Sequence, residues 1–318
     1  MALGRRNIIY FGTRGADAEP LMAFENFSHL FSIAAPLQAM HDKEFCLETK
    51  RRPAMRENLD TYDIDHDNSD DDVISQMRQE LLRAMDQNAV VLCYKPSELL
   101  ASAWFPRCEQ VDYFSQFHRA QRAFEHKTWV ETELKKYGIK RIPWRYYADD
   151  EMALIEERIQ CGASVLRRNE TNGGTGVRLV RSMEELDEQW PEHHDGFLAV
   201  SAYLTPHIPL NINACVYPTG DVSLHGASVQ LIGIPEATNL KFGYCGNDFA
   251  AMKSIDTTLI NEFELMTRQV GRWLAQNGYL GTFGLDAMIY NGEVLLTEIN
   301  PRLQGSTLVA CRIDQERG

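Results

Sequence analysis

The segment that most constrains the fold is a predicted β-hairpin near the C-terminus, residues 281–306, with the sequence GTFGLDAMIYNGEVLLTEINPRLQGS. Asn291-Gly292 is a strong signal for a tight turn, and apolar residues flank it on both sides. Successive side chains of a strand point to opposite faces, so Glu298, Asn300 and Arg302 should share one face. The segment therefore predicts two antiparallel strands with a dense polar face.

Whether Asp286 joins that face depends on the length of the hairpin loop. A two-residue turn at Asn291-Gly292 pairs Asp286 with Thr297 and leaves Asp286 on the face opposite Glu298. A three-residue loop with Gly292 in the left-handed conformation places Asp286 and Glu298 on a shared face. We predict the three-residue loop.

Two carboxylates and a carboxamide oxygen on one side of a sheet are hard oxygen ligands, which magnesium takes together with phosphate oxygens. Asp286, Glu298 and Asn300 are therefore candidate metal ligands, and Arg302 beside them is a candidate anion-binding residue. The alternative is an ordinary solvated outer face of a hairpin, which alternates in the same way. The strict spacing of two residues favours the metal site.

The composition excludes several classes of protein. The chain has 318 residues, of which 44% are hydrophobic and 24% are charged, enough for two or three packed units. A net charge of −13 without any long basic cluster argues against nucleic-acid binding. The seven scattered cysteines predict free thiols and no zinc site. Because no apolar run reaches the length of a membrane span or a signal peptide, we expect a cytoplasmic protein without membrane contact.

The first part of the chain predicts an α/β domain. A strand is predicted at residues 8–11, followed by a glycine-containing loop at 12–15. Residues 70–88 show helical spacing of apolar residues, and a buried strand follows at 90–94. Strands that alternate with helices indicate a doubly wound sheet.

The middle of the chain predicts a helix and a glycine-rich hairpin. The helix spans residues 115–137 and stops at Gly138. The hairpin consists of a strand at 164–168, a turn at 172–176 and a return strand at 177–180. Backbone amides of a glycine loop can approach an anion with no side chain in the way, although a plain hairpin has the same pattern.

Two more strands are predicted between residues 210 and 234, with polar and apolar residues in alternation. Asn211, Asn213, Ser228 and Gln230 either face solvent or line a site. A long amphipathic helix over 256–277 is assigned to the core.

In their order along the chain, these segments resemble the ATP-grasp superfamily, whose members are ATP-dependent ligases that activate a carboxylate as an acyl phosphate. The resemblance covers about residues 115–310 and is most specific in the hairpin. It implies an ATP-grasp fold of mixed α/β and α+β class. The implied units are an N-terminal Rossmann-like domain over 1–114, a helix and glycine-loop lid over 115–204, and a C-terminal antiparallel-sheet unit over 205–318.

The resemblance also implies two cofactors, ATP and Mg²⁺, and a role for each matching residue. Asp286, Glu298 and Asn300 would hold magnesium, while Arg302 and Lys241 would contact the phosphoryl or acyl-phosphate oxygens. The implied nucleotide-binding residues are Lys127 and Arg167 on the phosphates, Gly173, Gly174, Thr175 and Gly176 in the lid loop, and Val200, Ser201, Ala202 and Tyr203 beside the adenine.

Two of these positions depart from the family pattern. Relatives carry a lysine where this chain has Arg167, and many carry a glutamate where it has Ser201. Arginine binds phosphate through a planar fork, which is not equivalent to an ammonium group.

The function implied by the resemblance is ligation of a carboxylate to an amine, with amino-acid or peptide substrates in specialised metabolism. A degenerate relative that binds nucleotide as a sensor or subunit is an alternative, which Arg167 and Ser201 favour. A kinase-like transfer to a hydroxyl is another. The sequence does not fix the substrates or the oligomeric state, and a homodimer is compatible with it.

Overall fold

The computed structural model describes residues 6–34, 43–50, 72–85, 88–109, 111–114, 118–169, 173–188 and 196–317. Three β-sheets organise this part of the chain, and helices cover them. Each sheet is built from its own stretch of sequence. The domain boundaries at 114/115 and 204/205 stay predictions.

The N-terminal sheet is parallel, with the strand order β3-β2-β1-β4-β5. Its strands are β1 Asn7–Arg14, β2 Phe27–Ala34, β3 Glu44–Cys46, β4 Ala89–Cys93 and β5 Asp112–Tyr113. Its helices are α1 Leu47–Lys50, α2 Asp72–Ala84 and α3 Glu98–Trp104, with 3-10 helices at Gly15–Ala23 and Phe105–Arg107. The doubly wound prediction is confirmed, because α2 and α3 pack on one face of the sheet, against Ile9 and Phe11, and the 3-10 helix at Gly15–Ala23 packs on the other, against Ile8 and Tyr10.

The predicted glycine loop at residues 12–15 is wrong. Strand β1 continues through Gly12 to Arg14, and a 3-10 helix begins at Gly15. The ring of Tyr10 folds over Gly12, where an added Cβ would lie 2.4 Å from the phenol oxygen. The first glycine therefore makes room for an aromatic side chain and does not form a turn.

The second sheet has four strands in the order β6-β9-β7-β8. Its elements are β6 Arg145–Ala148, α6 Met152–Gln160, β7 Ser164–Arg167, β8 Val177–Val180, α7 Met183–Glu188 and β9 Phe197–Ala202. The predicted glycine hairpin is confirmed as the antiparallel pair β7–β8. A small core of side chains such as Ile155, Leu166 and Val200 holds α6 and α7 against this sheet.

The third sheet has six strands, with the path β13-β12-β10-β14-β15 and β11 beside β10. Its strands are β10 Ile208–Val216, β11 Val222–Leu224, β12 Ser228–Ile232, β13 Tyr244–Asp248, β14 Gly281–Tyr290 and β15 Glu293–Asn300. A 3-10 helix at Ala251–Ser254 and the helices α8 Thr257–Gln276 and α9 Thr307–Arg317 accompany it. The apolar stripe of α8 packs on the sheet through Phe263, Val270 and Trp273, as predicted.

The helix predicted over residues 115–137 is two helices. They are α4 His118–Ala123 and α5 Lys127–Lys136, while residues 115–117 lie outside the described residues. His126 adopts extended dihedral angles, φ −77° and ψ 95°, and its ring accepts the Trp129 N–H at the start of α5. A residue with that backbone interrupts a helix, so α5 begins as a new element. Its residues Val130 and Leu134 pack in the core of the third sheet.

Within the part of the chain that is described, none of the helices has the length and apolar character needed to cross a membrane.

Candidate functional site

The hairpin β14–β15 turns through two residues. Tyr290 pairs with Glu293, and Asn291 and Gly292 both have positive φ, 50° and 77°. These angles are those of a tight two-residue hairpin turn. The predicted three-residue loop is therefore wrong.

A β-bulge corrects the register that the even loop would otherwise impose. Asp286 pairs with Glu298 and Ala287 pairs with Leu296, so Thr297 is an extra residue in β15. The bulge places Asp286 directly opposite Glu298 on one face of the hairpin. The shared face was predicted, but its cause is the bulge and not the loop.

Asp286, Glu298 and Asn300 line one cavity of about 810 Å³. The Asn300 amide donates to Asp286 Oδ2 at 3.0 Å, and Gly284 pairs with Asn300 across the strands. The three predicted metal ligands thus lie together at a single wall. Their oxygen chemistry fits a magnesium ion, and two facing carboxylates favour a cation between them.

Asp286 is a buried acid with a raised pKa. Burial raises the pKa of its carboxyl to about 6, and the nearby charge of Glu298 adds to the effect. Hydrogen bonds from Asn211, Gln230 and Asn300 act in the opposite direction. Asn211 Nδ2 lies 2.7 Å and Gln230 Nε2 lies 3.1 Å from Asp286 Oδ1. Two of the polar strand residues that sequence left undecided therefore line the site.

A buried polar network extends from Asp286 to the chain after β15. Asn211 donates to Gln304 Oε1 at 2.9 Å as well as to Asp286. Ser306 Oγ donates to Asn211 Oδ1 at 2.9 Å and accepts from Asn213 at 3.0 Å. Such connected donors and acceptors hold the carboxylate in one orientation.

Gly284 makes room for this network. An added Cβ at Gly284 would lie 1.8 Å from Gln304 Oε1, so a larger residue would displace the Gln304 carboxamide. Sequence reasoning missed both residues. Gln304 continues the spacing of two residues from Glu298 through Asn300 and Arg302, which is the signal that could have identified it.

Gly284→Ala is expected to destabilise the protein by about 1–3 kcal/mol through overpacking. It should also raise the magnesium concentration needed for half-maximal ATP turnover by about tenfold or more, because Gln304 no longer supports Asn211. Thermal melting and magnesium titration measure the two effects. The double variant Gly284→Ala/Gln304→Ala should recover stability but not magnesium affinity. Unchanged magnesium dependence in Gln304→Ala alone would remove the role of Gln304.

Lys127 is the first residue of α5. It directly contacts the wall that carries the predicted metal ligands Asp286, Glu298 and Asn300, called the metal wall below. Its Nζ donates to Glu298 Oε1 at 2.6 Å, and the lysine side chain is 8% exposed. Lys127, predicted to bind phosphate, and Glu298, predicted to bind magnesium, are therefore in direct contact. The break between α4 and α5 brings this about, because it places Lys127 at the N-terminus of α5.

Arg167 is held by one acidic and one aromatic residue. Its Nη2 donates to Glu131 Oε1 at 2.6 Å, and its guanidinium lies 4.2 Å from the centre of the Trp144 ring. The Tyr146 hydroxyl donates to the other oxygen of Glu131. Arg167 still lines the cavity, but its position is fixed by a buried ion pair and by stacking. No local sequence pattern indicates this pairing with Glu131.

The predicted adenine-binding residues divide into two groups. Ser201, Ala202 and Tyr203 line the cavity, and the buried Ser201 Oγ has no hydrogen-bond partner among the described residues. Val200 does not line it, because its side chain packs in the core of the second sheet. The ladder between β6 and β9 ends at the pair Arg145–Val200, so the backbone edge beyond Val200 is not covered by β6.

The lid loop approaches the segment before β13. Gly173, Gly174 and Thr175 line the cavity, whereas Gly176 does not. An added Cβ at Gly174 would lie 2.1 Å from the carbonyl oxygen of Phe242. The Phe242 ring also packs edge to face on the Tyr203 ring, with 6.3 Å between the ring centres. Phe242 therefore connects the lid loop to Tyr203, one of the predicted adenine-binding residues.

Lys241 does not join the other candidates. It is exposed and absent from the cavity lining, whereas the next residue, Phe242, lines the cavity. The Lys241 carbonyl packs over Gly233, where an added Cβ would lie 2.2 Å from that oxygen. This backbone contact holds the segment in place and directs Phe242 to the cavity.

Gly174→Ala is expected to weaken ATP use more than Gly173→Ala. Both glycines have positive φ, 84° and 56°, so alanine is strained at either position. Gly174 also faces the Phe242 backbone, whereas no atom of the described residues lies within 4 Å of an added Cβ at Gly173. The KM for ATP should rise about tenfold or more in Gly174→Ala, and less in the matched Gly173→Ala. Equal effects would show that the contact with Phe242 is unimportant.

Arg302 lies beside the metal wall and reaches the N-terminal sheet. Its Nη2 donates to Asn300 Oδ1 at 3.3 Å, and its Nη1 donates to the Tyr94 hydroxyl at 3.0 Å. The guanidinium also lies 5.7 Å from the centre of the Tyr94 ring. Arg302 is thus placed to meet an anion next to the three predicted metal ligands.

The cavity is positive although the chain is acidic. Among the described residues, its lining contains seven arginines and lysines against three carboxylates, in a chain whose net charge is −13. The positive residues are Arg14, Lys95, Arg122, Lys127, Arg167, Arg168 and Arg302. A cleft of one sign attracts a ligand of the opposite sign, so this cavity is suited to a polyanion.

Comparisons with known proteins agree with this geometry. The model of a family described as the ATP-grasp domain matches residues 125–306. A comparison with curated proteins gave no significant match.

Solved structures with the same fold include three enzymes. N5-carboxyaminoimidazole synthetase from Staphylococcus aureus, complexed with ADP, has a TM-score of 0.62 at 14% identity and covers 95% of this chain and 72% of its own. Biotin carboxylase from Campylobacter jejuni, in complex with a form of ATP, has a TM-score of 0.66 at 13% identity, and the match covers 98% of this chain and 68% of the carboxylase chain. Phosphoribosylamine–glycine ligase from Thermotoga maritima has a TM-score of 0.59 at 15% identity, covering 97% and 72%. These likenesses confirm the predicted fold class.

Proposed function

This chain belongs to the ATP-grasp family, and from that premise we propose that it is an ATP-dependent ligase that joins a carboxylate to an amine. The observation that carries the proposal is the placement of Asp286, Glu298 and Asn300 on one wall of a positive cavity, beside Lys127 and Arg302. Oxygen ligands, phosphate-binding cations and an anion-binding arginine are the parts that phosphoryl transfer requires.

The proposed reaction has two steps. An oxygen of the substrate carboxylate attacks the γ-phosphorus of ATP, the bond from that phosphorus to the bridging oxygen breaks, and ADP leaves. The amine nitrogen then attacks the acyl carbon, the bond to phosphate breaks, and the nitrogen loses a proton. The products are an amide, ADP and inorganic phosphate. Catalysis of this kind depends on positioning and on charge stabilisation.

The chain supplies a group for each part of the first step. Asp286, Glu298 and Asn300 would hold magnesium, which neutralises phosphate charge when it is bound. Lys127 and Arg302 would bind the transferred phosphoryl oxygens. Lys241 has no part in this proposal, because it lies outside the cavity.

The nucleotide would lie between the second sheet and the hairpin. We assign its phosphates to Lys127, Arg167 and the lid backbone at Gly173–Gly174–Thr175–Gly176, where amide groups can approach closely. We assign the adenine to the end of β9 at Ser201–Tyr203, where the strand edge is not covered by β6. The buried Ser201 hydroxyl supports this assignment, since a ligand atom would satisfy it.

An amino acid or a peptide is our proposed substrate class. The name of the Thermotoga maritima neighbour specifies a ligase that uses glycine, which supports an amino acid as one partner. The names of two other neighbours, a carboxyaminoimidazole synthetase and a biotin carboxylase, specify no amino acid, so the fold also serves other substrates. A cytoplasmic location and a homodimer stay predictions.

A nucleotide-binding protein without ligase activity is the second candidate. The observation that favours it is the tie of Arg167 to Glu131 and Trp144, because a guanidinium held in this way is less available to phosphate.

Release of ADP from ATP and magnesium in the presence of paired carboxylates and amines tests the proposal. We expect ADP release that requires both substrates and an amide product detected by mass spectrometry. Binding of ATP without turnover across a broad panel would favour the second candidate. A stable phosphorylated product would instead indicate a kinase-like transfer to a hydroxyl.

A further inference from the structure

The N-terminal sheet contributes a wall to the same cavity at a place that the nucleotide assignment does not use. In the order β3-β2-β1-β4-β5, the chain moves to one side of β1 first and then returns to the other side at β4. The gap between the carboxyl ends of β1 and β4 is the point at which open parallel sheets bind ligands. Residues from both ends line the cavity here, namely Thr13, Arg14, Tyr94, Lys95 and Pro96.

Arg14 is the last residue of β1 and is held in position by an acid. Its Nε and Nη2 donate to the two carboxylate oxygens of Asp17, each at 3.2 Å. The Asp17 side chain is 11% exposed, whereas that of Arg14 is 42% exposed. A guanidinium has five N–H donors, so Arg14 can bind Asp17 and a substrate oxygen together. The buried acid therefore orients a cation that still faces the cavity.

The neighbouring charges at this end are paired with each other. Lys95 and Glu125 both line the cavity and form an ion pair at 3.2 Å. Arg302 is engaged with Asn300 and Tyr94. Arg14 differs from them in that its partner Asp17 lies outside the cavity lining.

The part of the cavity formed by the ends of β1 and β4 is joined to the metal wall by backbone and aromatic contacts. The Leu303 amide donates to the Tyr94 carbonyl at 3.1 Å, and Arg302 donates to the Tyr94 hydroxyl. The Tyr244 ring, which also lines the cavity, stands next to Gly305, where an added Cβ would lie 3.5 Å from the ring. A substrate that reacts beside Arg302 would therefore extend past Tyr94 towards Arg14.

From these contacts we propose that Arg14 binds a second anionic group of the substrate, a carboxylate or a phosphate that does not itself react. The inference rests on the proposed function and narrows it to acidic substrates such as a dicarboxylic or phosphorylated amino acid. Arg14 is then a specificity-determining residue, because a site built around an arginine discriminates strongly against analogues that lack its partner.

The test compares pairs of amino acids that differ only in the side-chain anion. The pairs are glutamate and glutamine, aspartate and asparagine, and O-phosphoserine and serine, each tested for ADP release with a panel of amines. Wild type should prefer the anionic member of at least one pair, and which pair responds distinguishes carboxylate from phosphate. Arg14→Met should raise KM for that member by about tenfold or more, the size of a lost charge-assisted hydrogen bond, with kcat nearly unchanged.

Two further variants separate recognition from folding. Arg312 pairs with Glu19, which lies in the same 3-10 helix as Asp17, and neither residue of this pair lines the cavity. Arg312→Met therefore removes a comparable arginine–carboxylate pair and should leave KM unchanged. Arg14→Lys keeps a cation and should recover part of the preference. An equal loss on the anionic and neutral members, or an unchanged KM in Arg14→Met, would overturn the inference.

Failure of the ligase proposal can be told apart from failure of this inference. If wild type releases no ADP with any pair, the ligase proposal fails, and calorimetric titration with succinate and with inorganic phosphate still tests the subsite. At least one of these anions should bind wild type and bind Arg14→Met more weakly. Equal binding to both proteins, or no binding to wild type, would overturn the subsite.

Discussion

Glu298→Gln is expected to reduce ATP turnover by about 100-fold or more while the protein stays folded. The side chain lines the cavity, faces Asp286 across the hairpin and accepts a hydrogen bond from Lys127. Glutamine keeps the shape and an oxygen for Lys127 but removes the negative charge that magnesium requires. Losing one such preorganised charge at a reacting phosphate commonly costs this much. Steady-state ADP release and thermal melting measure the two quantities.

Glu293→Gln is the matched control for this variant. Glu293 stands at the start of the same strand, and its carboxylate also pairs with a lysine, Lys140 at 3.0 Å, but it is exposed and outside the cavity lining. Turnover should be unchanged in this variant. Similar losses of turnover in Glu298→Gln and Glu293→Gln would indicate general damage to β15 and would argue against a metal role for Glu298.

Asp286→Asn is expected to abolish magnesium-dependent turnover and to stabilise the metal-free protein at neutral pH. Because its folded-state pKa is raised from 3.8 to about 6, the ionised carboxylate opposes folding, and the free energy of unfolding falls as pH rises from about 4 to about 6. A pKa shift of this size lowers the free energy of unfolding by about 3 kcal/mol across that pH range. Asparagine offers fewer acceptors to Asn211, Gln230 and Asn300, so we expect a gain of about 1 kcal/mol.

Denaturant unfolding between pH 4 and pH 8 checks this result. The decline in stability between about pH 4 and pH 6 should be present in wild type and absent in Asp286→Asn. Magnesium should reverse the order at pH 8, because it stabilises the protein that keeps both carboxylates. If Asp286→Asn is less stable than wild type at pH 8 without magnesium, burial of the charge is not the dominant effect at this position.

The hairpin shows what sequence predicts and what it does not. The Asn-Gly turn and the alternation in β15 are local signals, and they identified both strands and the polar face. The bulge at Thr297 is not local, because its cost is offset by contacts of Asp286 with Asn211 on the neighbouring strand β10. We therefore assigned the shared face to the wrong part of the hairpin.

The cations of the site show the same division. The family resemblance indicated Lys127, the spacing along β15 indicated Arg302, and both contact the wall that carries Glu298 and Asn300. The ion pair of Arg167 joins residues 36 positions apart, and the close approach of Gln304 to Gly284 depends on how the chain returns after β15. Contacts of this kind follow from packing, which periodicity and turn residues do not specify. The position of Lys241 outside the cavity lining depends on such a contact too, since the Lys241 carbonyl packs on Gly233.

Trapping of an activated carboxylate tests the central claim most directly. Hydroxylamine attacks an acyl phosphate and converts it to a hydroxamate, so it can replace an unknown amine. Wild-type protein with ATP, magnesium and a panel of acidic amino acids should form a hydroxamate and ADP in equal amounts, and Glu298→Gln should form neither. Wild type that binds ATP but yields no hydroxamate with any acid, or that passes phosphate to a hydroxyl, would contradict carboxylate activation at this hairpin.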